Sequence, residues 1–141
     1  MGLFDEPESE AAAALSQGVT AILDLTCELP ECRTFAQHAN YRNLPIMDLT
    51  APTPAQFAEA IAFINRHTRA GGIVYVHCKA GYSRSAAIVA AYLLHSEQVA
   101  DVNSALQYLK KRRAGIVIRQ EVLQVLEKPM ELAKAERAAL V

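Results

Sequence analysis

Three cysteines in 141 residues are too few, and odd in number, for a disulfide scaffold. A compartment that keeps thiols reduced, the cytoplasm, fits that count better. Nor does any apolar run approach the roughly 20 residues that cross a bilayer, and no basic-then-apolar leader opens the chain. An excess of one charge is missing as well. Lys and Arg number 14 against 15 Asp and Glu, a net charge of −1, so no global field draws the chain to nucleic acid. His38, His67, His77 and His95 are scattered without metal-ligand spacing, and neither a metal nor a cofactor is expected. No internal repeat is found.

What remains is an ordinary globular composition, 52% hydrophobic and 21% charged. A single domain over residues 1–141 is expected, large enough for a sizeable core. Pro7 to Gln17 reads as a short helix closed by Gly18, and Val19 to Thr26 as the first clear strand. Glu28 to Asn40 is polar and irregular, and Tyr41 to Leu49 is a short strand running into a loop. Thr53-Pro54-Ala55-Gln56 starts a helix with Thr53 as cap, Pro54 in the first turn and Gln56 completing a capping box. Phe57, Ile61 and Ile64 share one face of it, and Gly71-Gly72 ends it. Asp101 caps a later helix with Val102, Ala105, Leu106 and Leu109 inward, closing in Lys110-Lys111-Arg112-Arg113. Arg119 to Lys128 is a further helix with Val122, Leu123 and Leu126 buried, and Pro129 ends it. Residues 129–141 add a loose tail helix. Alternating strands and helices imply an α/β fold, a central, mostly parallel sheet with helices on both faces.

The other elements are arranged around Ile73 to Leu94, IVYVHCKAGYSRSAAIVAAYLL. An apolar β-prone run leads through a short loop into a helix that is apolar nearly all round, so both flanks are buried. Cys78 and Arg84 bracket five residues, and Ser85 follows. Backbone N–H groups of such a loop converge on an anion, and the helix N-terminus adds positive partial charge. Arg84 offers a planar fork for two oxygens. A thiol under a bound phosphorus, beside those positive groups, is a nucleophile. Ser83 and Ser85 also suit a helix cap.

His77-Cys78-Lys79-Ala80-Gly81-Tyr82-Ser83-Arg84-Ser85 resembles the phosphate loop of the cysteine-dependent protein tyrosine phosphatase superfamily. The flanks, from about Gly18 to about Leu126, resemble its compact dual-specificity branch. Within that branch the loop and the later Ile116-Val117-Ile118-Arg119 are similar to phosphatases acting on lipid phosphates, including phosphatidylglycerophosphate. The resemblance implies a phosphotyrosine phosphatase-like fold and hydrolysis through a phosphocysteine on Cys78, with no metal. It gives Arg84 and the loop from His77 to Ser83 to phosphate binding, with His77 ordering the loop from behind the cysteine. It also gives Ser85 a hydrogen bond to the Cys78 sulfur. Asp48 falls where the family has its general acid, with Asp24 and then Glu28 as competitors. Asp24 otherwise shapes a sheet edge or a turn.

Lys79 and Tyr82 are expected to point towards substrate, and the resemblance implies that Arg119 comes near the pocket. Gln120 stands where the lipid-phosphatase pattern has proline. The family usually has a further strand before the first helix, for which there is little room here. The partner is a phosphorylated substrate. A lipid phosphate and a phosphoprotein remain open, beside a remote third reading as an inactive phosphate-binding module. For a lipid, the location would be the cytoplasmic face of a membrane. The basic run Lys110 to Arg113 is either a solvated helix end or a contact for an anionic bilayer. Cys27 ends a strand parallel to the one ending at Cys78, so a reversible Cys27–Cys78 disulfide is a further expectation.

Overall fold

The computed structural model describes residues 15–26, 37, 40–47, 50–78, 83–113, 115–116 and 118–126. Of the expectations above, the helix before residue 15, Cys27, Glu28, Asp48, the loop residues Lys79 to Tyr82 and the tail from 129 lie outside these residues. Three parallel strands form the described sheet: β1 (Ala21–Asp24), β2 (Tyr41–Asn43) and β3 (Val74–His77), in the order β2-β1-β3. Ile22 pairs with Tyr41 on one side and Tyr75 on the other, and Asp24 is in register with Asn43 and His77.

The ladder is shorter than the apolar runs suggested, for local reasons. Bonds continue past β1 at both ends, from Thr20 N to Ile73 O at 2.9 Å and from Leu25 N to His77 O at 2.8 Å. Beyond β2, Leu44 N donates to Asp24 O and Ile46 N to Leu25 O. Pro45 lies between them with no N–H to give, which ends the regular pairing.

Helix α1 (Pro54–Arg69) starts as its sequence indicates. Gln56 N donates to Thr53 Oγ1, and Thr53 N donates to Gln56 Oε1. Phe57, Ala60, Ile61, Phe63 and Ile64 are buried against the sheet. The helix ends at Ala70, and Gly71 follows at φ +84°, a conformation other residues rarely adopt. Helix α2 (Arg84–His95) is buried along most of its length, as its alanine-rich sequence requires.

Helix α3 (Val102–Arg112) is capped by Asp101, whose Oδ1 accepts from Ser104 N at 2.7 Å. That backbone bond, with a second from the Ser104 side chain, holds the Asp101 carboxyl below its ordinary range. Ala105 and Leu109 are buried, whereas Val102 and Leu106 are only half-buried. Residues 120–126 are helical, with Val122 and Leu126 buried. Gln120 opens this helix in the first-turn position that proline also favours.

The core lies on one face of the sheet, where Ala21, Leu23 and Leu25 meet α1, α2, α3, Ile116, Ile118 and the helix at 120–126. On the other face Ile22 packs with Leu15, Val19, Tyr41 and Tyr75, Leu15 coming from the helical turn that closes at Gly18.

Thr20 clips β1 to β3 at their starts, and Gly72 ties the entry of β3 to the end of α1. Thr20 Oγ1 accepts from Ile73 N at 3.0 Å, and Gly72 N donates to His67 O at 2.9 Å. A Cβ on Gly72 would stand 2.3 Å from Thr20 Oγ1 and 2.9 Å from the His67 carbonyl oxygen. Gly72→Ala is therefore expected to cost about 1–3 kcal/mol of stability. Urea unfolding of the two chains checks it, and equal midpoints would contradict this packing.

Candidate active site

β3 delivers Cys78 directly after His77, and α2 begins six residues later at Arg84. Both flanks are anchored in the core, so the ends of the intervening loop are fixed. Cys78 is 3% exposed and Arg84 2% exposed. The Ser85 backbone N–H donates to Cys78 Sγ at 3.4 Å, and Ser85 Oγ lies 3.3 Å from the same sulfur. The sulfur thus sits over the first turn of α2, where unsatisfied N–H groups favour negative charge.

The guanidinium of Arg84 reaches the segment that follows β2. Its Nη1 donates to the Ile46 carbonyl at 2.9 Å, a contact spanning 38 residues of sequence. Ile46 continues the β2 segment alongside β1 and lies two residues before Asp48. Beyond it, Thr50 N and Oγ1 both donate to Met47 O, at 3.3 and 2.5 Å, so the residues flanking 48–49 are tied to each other. The buried arginine and the approach to the expected acid are thereby one hydrogen-bonded unit.

Of the expected site residues, the structure brings Cys78, Ser85 and Arg84 together, with His77 on the strand beneath them. His77 is half-buried and stacks on Tyr75, ring centroids 6.0 Å apart. Ser83 occupies the N-cap position of α2, but its side chain makes no capping bond. Its backbone, at φ −123° and ψ −68°, is not the extended conformation that a capping hydroxyl needs. Arg119 is about half exposed and pairs with Glu121, Nε to Oε2 at 3.6 Å, at the start of the 120–126 helix.

Asp24 is 2% exposed, and its carboxylate takes donors from Thr26 and Tyr41. It lies on the middle strand of the described sheet, so its structural role is at a turn rather than an edge. Two features escaped the reading of the sequence: the Ile46 carbonyl as the holder of Arg84, and the cleft beside Ser85. That cleft, of about 200 Å³, is lined by Val76, Ser85, Leu109, Arg112, Arg113 and Ile116. Arg112 also lies over the Tyr108 ring at 3.5 Å and donates to the Tyr108 carbonyl. The basic end of α3 therefore borders this cleft as well as solvent.

The chain is similar to known proteins over this same region. The family model described as "Dual specificity phosphatase, catalytic domain" matches residues 3–129. Human dual specificity protein phosphatase 1 is 39% identical over 100 residues, covering 70% of this chain and 26% of that protein. Mouse dual specificity protein phosphatase 2 is 39% identical over 100 residues, covering 70% of this chain and 30% of that protein. The chain thus spans between a quarter and a third of the length of these curated relatives. Among solved structures, PTPMT1 in complex with PI(5)P superposes with a TM-score of 0.80 at 28% identity, covering 92% of this chain and 88% of that one. The active form of Tk-PTP gives 0.75 at 28% identity, covering 93% and 88%.

A sulfur held over a helix N-terminus should react preferentially with anionic alkylating agents. Iodoacetate is expected to label Cys78 faster than neutral iodoacetamide, and inorganic phosphate to slow the labelling. Peptide mapping by mass spectrometry checks this, and modification confined to Cys27 and Cys32 would contradict it.

Proposed function

The chain belongs to the dual specificity phosphatase family, and from that premise we propose that it hydrolyses phosphate monoesters through a phosphocysteine formed on Cys78. The observation that carries the reading is the contact of the Cys78 sulfur with the backbone N–H and Oγ of Ser85, next to buried Arg84. In the first step the sulfur attacks phosphorus and the bond to the leaving oxygen breaks. Arg84 and the loop amides of residues 79–83 stabilise the charge on the equatorial oxygens. Asp48 gives its proton to the leaving oxygen. In the second step Asp48 takes a proton from water as that water attacks phosphorus. The sulfur–phosphorus bond breaks, inorganic phosphate leaves, and Ser85 Oγ hydrogen-bonds the departing thiolate. His77 supports the loop from β3. Lys79 and Tyr82 contact the rest of the substrate, and Arg119 approaches its outer part.

For the substrate we favour a lipid phosphate, such as phosphatidylglycerophosphate or a phosphoinositide. The cleft beside Ser85 supports it by combining an apolar floor with two arginines, the chemistry of an anionic amphiphile. The similar PTPMT1 structure was solved with PI(5)P. On this reading Lys110 to Arg113 rest on an anionic bilayer at the cytoplasmic face, where the nucleophile stays reduced. The second reading, a phosphoprotein substrate, is favoured by the dual specificity protein phosphatases to which the chain is 39% identical.

Cys78→Ser is expected to lose phosphomonoester hydrolysis while remaining folded, and turnover by that variant would refute the covalent route. Phosphatidylglycerophosphate and phosphoinositides in vesicles, compared with a phosphotyrosine peptide, separate the substrates. The lipid is expected to have the higher kcat/KM, by about tenfold or more. The opposite order would assign the chain to phosphoproteins.

A further inference from the structure

We infer that Asp24 is a positioning residue for this site, an inference that rests on the phosphatase reading above. Its carboxylate is buried, and three donors converge on it. Thr26 N and Thr26 Oγ1 reach Oδ1 at 2.9 and 2.7 Å, and the Tyr41 hydroxyl reaches Oδ2 at 2.5 Å. The Thr26 bonds fix the turn that ends β1, because an aspartate accepting from the N–H two residues on holds the backbone in one conformation. The Tyr41 bond ties that same end to the start of β2. Asn43 completes the arrangement by donating from Nδ2 to the carbonyls of both Asp24 and Thr26 at 3.0 Å.

The end of β1 is where the two halves of the site meet. On one side Leu25 N donates to the His77 carbonyl at 2.8 Å, and His77 is bonded covalently to Cys78. On the other side Leu25 O accepts from Ile46 N at 3.0 Å, and Ile46 O accepts from Arg84 Nη1 at 2.9 Å. The backbone of one residue thus sets the separation between the strand that delivers the sulfur and the segment that holds the guanidinium and leads to Asp48. Asp24 precedes that residue, and its side chain locks the backbone on either side of it. A carboxylate suits the place because it is an acceptor only, with lone pairs for all three donors. An alanine would leave Thr26 N–H and the Tyr41 hydroxyl to find other partners and would release the end of the strand.

Displacement of reacting groups by about 1 Å can cost roughly 100-fold in rate, so such a lock is felt in catalysis. The test is steady-state hydrolysis of an aryl phosphate across pH, with binding of inorganic tungstate measured in parallel. It compares the wild-type chain with Asp24→Ala, Asp24→Asn and Tyr41→Phe. Asp24→Ala is expected to lower kcat by about tenfold or more and to weaken tungstate binding, while the limbs of the pH profile stay in place. Asp24→Asn keeps an oxygen for Thr26 and is expected to recover most of that loss.

If the alanine and asparagine variants lose rate equally and a limb of the profile disappears, Asp24 is the proton donor and the inference is overturned. It is overturned equally by a folded Asp24→Ala chain with wild-type kcat and tungstate affinity, even at a lower Tm. Should Asp24→Ala not fold, Tyr41→Phe decides. A fall in kcat of about threefold or more on an unmoved pH profile supports the role, and wild-type kcat overturns it. A wild-type chain that hydrolyses no aryl phosphate defeats the phosphatase reading instead, and the tungstate affinities then decide the part played by Asp24.

Discussion

A sulfur atom takes the place of a helix cap. The first turn of any α-helix has N–H groups with no partner inside the helix. In α2 one of these, on Ser85, is given to Cys78 Sγ, while the serine in the N-cap position contributes no side-chain bond. The loop is closed on itself by this contact, seven residues apart in sequence. Such closure requires the two flanking elements to be immovable, and the alanines and leucines that surround α2 supply that condition. The helix is buried by most of its residues, against α1 and α3 as well as the sheet. A more polar helix would sit at the surface and could not hold its first turn rigidly under the sulfur.

Parallel topology explains why so much chemistry collects at one place. In a parallel sheet the carboxyl ends of all strands lie along the same edge, and open α/β sheets bind ligands outside that edge. Asp24, Asn43 and His77 are the last residues of their strands and lie in register. Residues that follow them, Thr26, Ile46 and Cys78, are then within reach of one another although they are far apart in sequence. The polar side chains at this edge are satisfied by one another and by backbone carbonyls. Among the described residues no buried side-chain nitrogen or oxygen lacks a partner.

How much of this the sequence disclosed follows from the range of each interaction. Local signals were legible. The Thr53–Gln56 capping box, the Asp101 cap and the glycine after α1 each depend on residues within a few positions, and each is found as expected. The Cys78–Arg84 spacing was equally readable, because a buried strand and a buried helix only a few residues apart leave little freedom. Contacts made across strands were not. The bond from Arg84 to Ile46 joins a side chain to a carbonyl, and a carbonyl carries no residue-specific signal. Asp24 could be seen as a polar residue at the end of an apolar run, but its partners Tyr41 and Thr26 emerge only with the register. The half-burial of Val102 and Leu106 has the same origin: periodicity says which face turns inward, not how completely a neighbour covers it.

Arg84 shows how the folded state and the bound anion are linked. A guanidinium buried to this extent loses most of its hydration, and each hydrogen bond it makes, the one to the Ile46 carbonyl among them, offsets part of that cost. The group carries five donors in a fixed fork, and the carbonyl engages one edge of it. That bond orients the plane of the fork before any ligand arrives, so little side-chain entropy remains to be lost on binding. On the proposed reading, a phosphate dianion brings opposite charge to this fork, which a neutral carbonyl does not. On that reading, binding free energy that elsewhere would order a flexible arginine is available here to stabilise the charge on the equatorial oxygens in the transition state. The same preorganisation is indifferent to what the phosphate is attached to. On the proposed reading, selectivity between a lipid and a protein comes from the groups that touch the rest of the substrate, with the cleft bordered by Arg112, Arg113 and Ile116 as one candidate.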